Sequence, residues 1–192
     1  IIASLKQNGT FDDMKRRWFK PDLSPYEEPD IEIPTRGQPL RVGVAATREP
    51  FNFVDKDGRV TGHDGELARI FANRLNRPLE FMNMKFSALI PALQSGKVDL
   101  IVTGMSATEE RKKFINFSDS YFANSQVLLV KATGASTEKP ATGRMVSPAD
   151  LKDKTIGVLL GSIYDAWANK TYPQATIRQY RAPADTLLAV KT

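Results

Sequence analysis

Residues 99–117, DLIVTGMSATEERKKFINF, decide how the rest of the chain is interpreted. The apolar residues 100–102 predict a buried strand, and residues 103–106 after them are small and polar, which is typical of a loop. A charged helix is then expected to begin near Thr108, because this residue suits an N-cap and two glutamates follow it at the positive end of the helix dipole. The stretch therefore predicts a strand, a polar loop and a helix start in direct succession.

Arg111 is unusual in this stretch, because a cation in the first turn of a helix opposes the helix dipole. One interpretation is an anion clamp, in which the guanidinium and the N–H groups of the preceding loop hold a carboxylate. The other is an ordinary exposed arginine that pairs with Glu109 or Asp119. The local residues leave both interpretations open.

The composition narrows the function classes. The 192 residues are 41% hydrophobic and 26% charged, as in ordinary globular proteins, and the net charge of +5 comes from dispersed basic residues without a nucleic-acid-binding motif. We therefore expect no nucleic-acid partner.

The chain has no cysteine and a single histidine, so we expect no cofactor and none of the metal sites that need several Cys or His ligands. No stretch approaches the roughly 20 apolar residues of a membrane span. Because Ile1 is not a methionine, we expect a processed or truncated chain whose precursor carries a signal peptide.

Strands and helices alternate from Leu40 onwards. This order predicts a mainly parallel α/β sheet, in which ligands collect at the carboxyl ends of the strands. Three loops qualify by this criterion: residues 45–52, 103–108 and 160–164. Before Leu40, residues 21–39 hold five prolines and little that could form a core, which is typical of a linker.

The later part of the chain repeats this plan less completely. An apolar strand is expected over residues 126–130, followed by a flexible surface segment over 131–146 and a helix that Ser147 caps. Strands over 155–160 and 176–180 then alternate with helices over 164–170 and 184–191. A sheet of two strands is small, so we expect an artificial end at Thr192.

Three stretches carry a resemblance to a known family: LRVGVAATREPFNFVDKDGRVTGHDGELARIFANRL, FSALIPALQSGKVDLIVTGMSATEERKKFINFSDSYF and DLKDKTIGVLLGSIYDAW. Together they resemble the type 3 family of bacterial extracellular solute-binding proteins, the amino-acid receptors of ABC importers. The resemblance covers about residues 38–192. It implies an α/β fold of the periplasmic-binding-protein-like type II, or Venus flytrap, class, with lobe 1 mostly present and lobe 2 truncated.

The resemblance also implies a division of the chain. Residues 38–126 would be lobe 1 and residues 127–192 a partial lobe 2. Residues 1–20 resemble the closing helix of the same family, which normally ends the protein, and residues 21–37 would then be an acidic, proline-rich linker. A tandem protein explains this order, in which one receptor ends where the next begins, and a circular permutation is the alternative.

The implied function is that of a receptor and not of an enzyme. The family members bind a free amino acid outside the cytoplasm, some of them anchored to the membrane, and deliver it to the membrane permease of an ABC importer. Two alternatives remain open. One is an enzyme on the same fold, such as a cyclohexadienyl dehydratase, and the other is the ligand-sensing module of a membrane sensor protein.

By the same resemblance, Arg111 would form a bidentate pair with the ligand α-carboxylate, with loop hydroxyl and backbone groups beside it. Phe86 would pack on the ligand side chain or, alternatively, only on its own helix. Backbone N–H groups of residues 161–163 would close over the carboxylate. The full set of expected ligand-binding residues is Arg48, Phe51, Phe86, Thr103, Gly104, Met105, Ser106, Arg111, Gly161, Ser162 and Ile163.

Four positions depart from the family pattern. Arg48 stands where many relatives have an aromatic residue, so it either favours an acidic ligand side chain or points to solvent. Ala45 replaces an acid that is frequent in receptors of basic amino acids, so the ligand is expected to be acidic or neutral polar. Ile163 replaces a hydroxyl residue and leaves only its backbone to bind. His63 stands where the family prefers an aromatic, and we interpret it as a packing or surface residue.

Overall fold

The computed structural model describes residues 1–20, 25–123, 127–130 and 148–191. The chain divides into two compact units, Ile1–Asn124 and Ser125–Thr192. Unit 1 contains α1 (Ile2–Gln7), α2 (Thr10–Trp18), β1 (Leu40–Val44), β2 (Thr47–Arg48), β3 (Asn52–Val54), β4 (Val60–Thr61), α3 (His63–Arg74), β5 (Leu79–Asn83), a 3₁₀ turn (Phe86–Ala88), α4 (Leu89–Gln94), β6 (Leu100–Ile101) and α5 (Glu109–Lys112). Unit 2 contains a 3₁₀ turn (Pro148–Leu151), β7 (Thr155–Leu159), α6 (Ile163–Thr171), β8 (Thr176–Tyr180) and α7 (Pro183–Lys191).

The main sheet of unit 1 is parallel, in the order β5-β1-β6. The central strand β1 pairs Leu40 with Leu79 on one side and Val42 with Leu100 on the other. Except for the partly exposed Arg41, its residues are buried, as in a strand that is covered on both faces. The predicted parallel sheet is therefore confirmed, and the loops after β1 and β6 leave the same edge of it.

A small antiparallel sheet, β2-β3-β4, lies between β1 and α3 in the chain. Gly62 connects it to α3 with a φ of 107°, a conformation that favours glycine, and a Cβ there would overlap the Phe51 carbonyl. The N–H groups of His63 and Asp64 donate to the carbonyls of Pro50 and Phe51, both at 2.9 Å. The start of α3 is therefore fixed to the loop that carries Phe51.

Helix α2 is part of the core of unit 1. Met14 and Trp18 are 0% and 1% exposed and lie in one apolar cluster with residues of β1 and α3. Arg17 and Trp18 both donate to the Glu66 carboxylate of α3, with Arg17 Nη2 2.6 Å from Glu66 Oε1 and Trp18 Nε1 2.6 Å from Glu66 Oε2. This carboxylate therefore joins α2 to α3 inside the protein.

The proline-rich segment contributes more packing than its composition predicts. Tyr26 stacks near Trp18, with ring centroids 5.1 Å apart, and Ile33 also packs against the core. Glu28 pairs with Arg69 of α3 at 2.6 Å. Tyr26 and Ile33 of this segment therefore add to the core of unit 1, which the composition of residues 21–39 did not predict.

Unit 2 has a parallel two-stranded sheet, β7-β8, and its helices pack against it. The strands and helices from residue 155 onwards agree with the sequence prediction within one or two residues. The strand predicted over residues 126–130 is wrong for 127–130, which have no regular structure, and Val127 is 89% exposed. Apolar composition alone does not form a strand without a neighbour to pair with. Gln126 and the predicted surface segment 131–146 lie outside the described residues.

Candidate functional site

Three hydrogen bonds within the protein hold the loop after β6. Thr103 is buried, and its Oγ1 accepts from the Ala45 N–H at 3.1 Å. The Gly104 N–H donates to the Tyr121 hydroxyl at 3.2 Å, and the Ser106 carbonyl accepts from Arg111 Nη1 at 2.9 Å. Residues 103–106, which we call the clamp loop, therefore have a fixed backbone between β1, Tyr121 and α5.

Arg111 lies where the sequence predicted, at the start of α5. Thr108 is the N-cap, and its Oγ1 accepts from the Arg111 N–H at 3.3 Å. The Arg111 guanidinium carbon is 5.5 Å from the centre of the Phe86 ring, which is half-buried and outside the main core cluster. Burial lowers the pKa of Arg111 from its ordinary value, so the guanidinium has lost part of its water. The structure therefore brings Phe86, Arg111 and Ser106 together.

Arg48 lies against the other end of the clamp loop. Its guanidinium carbon is 4.4 Å above the centre of the Phe51 ring, a cation–π contact, and the side chain is half-buried. A Cβ placed on Gly104 would be 3.4 Å from Arg48 Nη1 and 3.9 Å from the Phe51 ring. Arg48, Phe51 and Gly104 therefore form a second group of predicted site residues. Met105, between the two groups, is half-buried.

A buried polar network supports the clamp loop, and the sequence analysis missed it. Asp64 is 0% exposed; its Oδ1 lies 2.9 Å from His63 Nδ1, and its Oδ2 accepts from Asn52 Nδ2 at 3.3 Å. Asn52 Nδ2 also donates to the Val102 carbonyl at 3.1 Å. Loss of water and the adjacent Asp64 carboxylate raise the pKa of the Tyr121 hydroxyl well above its ordinary value. The network thus extends from α3 to both ends of residues 102–104.

His63 lies in an aromatic cluster. It is 1% exposed, and its ring centre lies 5.6 Å from those of Phe19 and Phe122 and 6.0 Å from that of Phe51. Phe19 also contacts Phe51 directly, with ring centres 4.9 Å apart. Of the two roles expected for His63, packing or surface, its burial shows packing, and the cluster places the end of α2 directly against Phe51.

In unit 2 the predicted loop residues surround Asp165. Ser162 is the N-cap of α6, and its Oγ accepts from the Asp165 N–H at 3.2 Å. The Gly161 N–H donates to Asp165 Oδ2 at 3.0 Å, and Ile163 is the first residue of the helix. Gln179 also donates to Asp165, which is 8% exposed. In this structure the Gly161 N–H, expected to serve the ligand, is thus bonded to an acid that the sequence analysis did not single out.

The described residues give two further observations. Within residues 1–20, 25–123, 127–130 and 148–191, no group of three or more His, Cys, Asp or Glu side chains is arranged to hold a metal ion. None of the helices in these ranges is both long and apolar enough to span a membrane.

Comparison with known proteins identifies the relatives of this fold. Residues 40–179 match the family model of bacterial extracellular solute-binding proteins, family 3. Over 136 residues the chain is 38% identical to the arginine-binding extracellular protein ArtP of Bacillus subtilis, a match that covers 70% of this chain and 49% of that protein. The chain thus spans about half the length of this curated relative.

Two solved structures extend the comparison. Holo ArgBP from T. maritima has a TM-score of 0.70 and 37% identity, and the match covers 80% of this chain and 64% of that one. The ancestral amino acid-binding protein AncCDT-1, described as a precursor of cyclohexadienyl dehydratase, has a TM-score of 0.70 and 33% identity and covers 95% of this chain and 69% of that one. These matches confirm the fold class inferred from the sequence. The chain belongs to the bacterial extracellular solute-binding proteins, family 3.

Proposed function

We propose that this chain forms the clamp side of an extracytoplasmic receptor that binds a free amino acid by its α-carboxylate and delivers it to the membrane permease of an ABC importer. The observation that carries the proposal is the placement of Arg111. Its half-buried guanidinium is directed to the clamp loop by the bond to Ser106 and lies over the Phe86 ring. A carboxylate is the group that best compensates such a partly desolvated guanidinium fork.

The clamp is preorganised, which favours binding. Arg111 is anchored at the helix start by the Thr108 cap, and the clamp loop is held at Thr103 and Gly104 by the bonds described above. A ligand therefore does not have to order these groups, and the free energy of its charged hydrogen bonds, about 1.5–3 kcal/mol each, is available for affinity. The Phe86 ring offers an apolar surface beside the carboxylate for the rest of the ligand.

The extracytoplasmic location and the importer are inferred from the family. The matched family is described as extracellular, and ArtP is named an extracellular binding protein. A receptor of this kind is retained at the cell surface, where it meets its permease, and membrane attachment of the parent protein is part of the proposal.

An enzyme on the same fold is the second candidate, favoured by the similarity to AncCDT-1. A dehydratase needs a general acid or base within reach of the substrate. The carboxylate nearest in sequence to Arg48 is Glu49, and its Oε1 accepts from the Tyr26 hydroxyl at 2.8 Å. The bond occupies this group, so the geometry favours the receptor over the enzyme.

Calorimetry on the full-length parent protein tests the proposal. We expect micromolar or tighter binding of at least one L-amino acid and a loss of about 100-fold or more in Arg111→Ala, since a partly buried charged contact with the ligand is removed. Arg36→Ala, which removes an exposed arginine elsewhere in unit 1, is the matched control. Unchanged binding in a folded Arg111→Ala protein contradicts the carboxylate role, and turnover of prephenate or arogenate supports the enzyme.

A further inference from the structure

We propose that Arg48 makes the site selective for an amino acid with an anionic side chain, glutamate or aspartate, and disfavours arginine and lysine. The inference rests on the proposed function and specifies its ligand class. It starts from the position of a second guanidinium at the clamp loop, on the opposite end from Arg111.

The Arg48 side chain is fixed at the loop and is not a freely moving surface cation. It leaves the end of β2, and its guanidinium carbon lies 4.4 Å from the centre of the Phe51 ring, close to Gly104. Phe51 is 9% exposed and packs against the Phe19 ring, so the ring beneath the guanidinium is part of the aromatic cluster. A guanidinium stacked on an aromatic ring still presents its N–H edge to an anion.

The acidic groups near Arg48 are committed to other partners. Glu49 accepts from Tyr26, and Asp64 lies against His63 and accepts from Asn52. Within the part of the chain that the structure describes, no ion pair joins Arg48 to a carboxylate. A ligand anion beside this half-buried guanidinium would add a favourable charged hydrogen bond.

The two guanidiniums together indicate a ligand with two carboxylates. Arg111 donates to Ser106 at one end of the clamp loop, and Arg48 lies beside Gly104 at the other. Glutamate or aspartate would place one carboxylate beside the Arg111 end of the loop and the other beside the Arg48 end. An arginine ligand would instead bring a third positive charge to a loop that already has a guanidinium at each end, and like charges repel.

The inferred ligand differs from the ligand that sequence similarity alone would suggest. ArtP is named an arginine-binding protein, and at 38% identity its ligand would be the first choice for this chain. The side chains around a ligand decide specificity independently of the fold. The two expectations predict opposite orders of affinity for glutamate and arginine, and one measurement separates them.

The experiment is calorimetric titration of the full-length parent protein with L-glutamate, L-aspartate, L-glutamine and L-arginine. We expect glutamate or aspartate to bind at least 10-fold more tightly than arginine. In Arg48→Gln the preference should shrink by 10-fold or more, because the variant removes one charge and keeps a polar side chain of similar reach. Arg36→Gln is the control that changes the charge by the same amount, and it should leave the ratio of the glutamate and arginine affinities unchanged.

The outcomes are distinguishable. If arginine binds as tightly as glutamate, or if Arg48→Gln leaves the ratio unchanged, the inference is overturned while amino-acid binding itself stands. If no amino acid binds, the proposed function fails together with the inference. Thermal unfolding of Arg48→Gln should match the wild type, which separates loss of selectivity from loss of fold.

Discussion

The Tyr121 hydroxyl accepts a hydrogen bond from the Gly104 N–H over 3.2 Å, across 17 residues of sequence. The same hydroxyl lies beside the buried Asp64 carboxylate, so a single phenol connects the clamp loop to the start of α3. The loop that presents the candidate site is therefore supported from beneath by a group that need not touch the ligand.

Removing this hydroxyl should loosen the clamp loop. In Tyr121→Phe the Gly104 N–H and the Asp64 carboxylate lose a partner, at a cost of about 1–2 kcal/mol in unfolding free energy. We expect amino-acid affinity to fall by about 3–10-fold, measured by calorimetry beside urea unfolding. Tyr164→Phe, at a 38% exposed tyrosine of unit 2, is the control. Wild-type affinity in Tyr121→Phe would show that the loop holds itself without this bond.

The Glu66 carboxylate should be a main contributor to the stability of unit 1. Its removal in Glu66→Ala leaves the Arg17 guanidinium and the Trp18 indole N–H without their buried acceptor. The carboxylate raises the pKa of Arg17, and without it the arginine still stays charged because the ordinary pKa of a guanidinium lies far above neutral pH. We expect a loss of about 3 kcal/mol in the free energy of unfolding, measured in urea. Glu80→Ala, at an exposed strand position, should cost less than about 0.5 kcal/mol.

The Asp99 carboxylate should make stability depend on pH in acid. Hydrogen bonds from the Arg41 side chain and backbone N–H lower the pKa of Asp99 from 3.8 to about 2. Because the folded pKa is depressed, the contribution is complete above about pH 5 and is lost as the pH falls towards 2. Asp99→Asn should therefore be less stable than the wild type by about 1 kcal/mol at pH 7, after solvent screening of this exposed group, and by less at pH 3. Asp30→Asn, at an exposed acid, is the control, and its effect on the free energy of unfolding should be equally small at pH 7 and pH 3.

Asp165 should hold the first turn of α6 in unit 2. Asp165→Ala removes the acceptor of Gly161, Asn169 and Gln179, so we expect unit 2 to lose about 1–3 kcal/mol. Asp185→Ala is a matched control, because Asp185 also lies in the first turn of a helix but is exposed. Equal effects of the two substitutions would assign the stabilisation to the helix dipole alone. Hydrogen exchange of the Gly161 amide reports the change locally.

Features that depend on residues close together in the sequence could be predicted from it. The Thr108 cap, the position of Arg111 and the parallel strands follow from local patterns, and all are present. The division into residues 1–20, 21–37, 38–126 and 127–192 remains a prediction, as do the ligand contacts of each site residue.

The supporting network could not be predicted in the same way. Asn52 and Thr103 come together across 51 residues, and Tyr121 reaches Asp64 only because strand register and helix position bring them close. Polar residues scattered among apolar ones carry no periodic signal. The strand expected over residues 127–130 failed for a related reason, since pairing depends on a distant partner and apolar composition does not supply one.

Gly62 has a practical consequence for retargeting this protein. Its left-handed backbone and close approach to the Phe51 carbonyl fix the platform on which Arg48 lies. If the proposed function holds, a combinatorial library that varies residues 48 and 86 changes side chains of the candidate site and keeps this backbone. Extending the same library to residue 62 would displace that backbone in nearly every member, so most of its diversity would be spent on proteins with a distorted site.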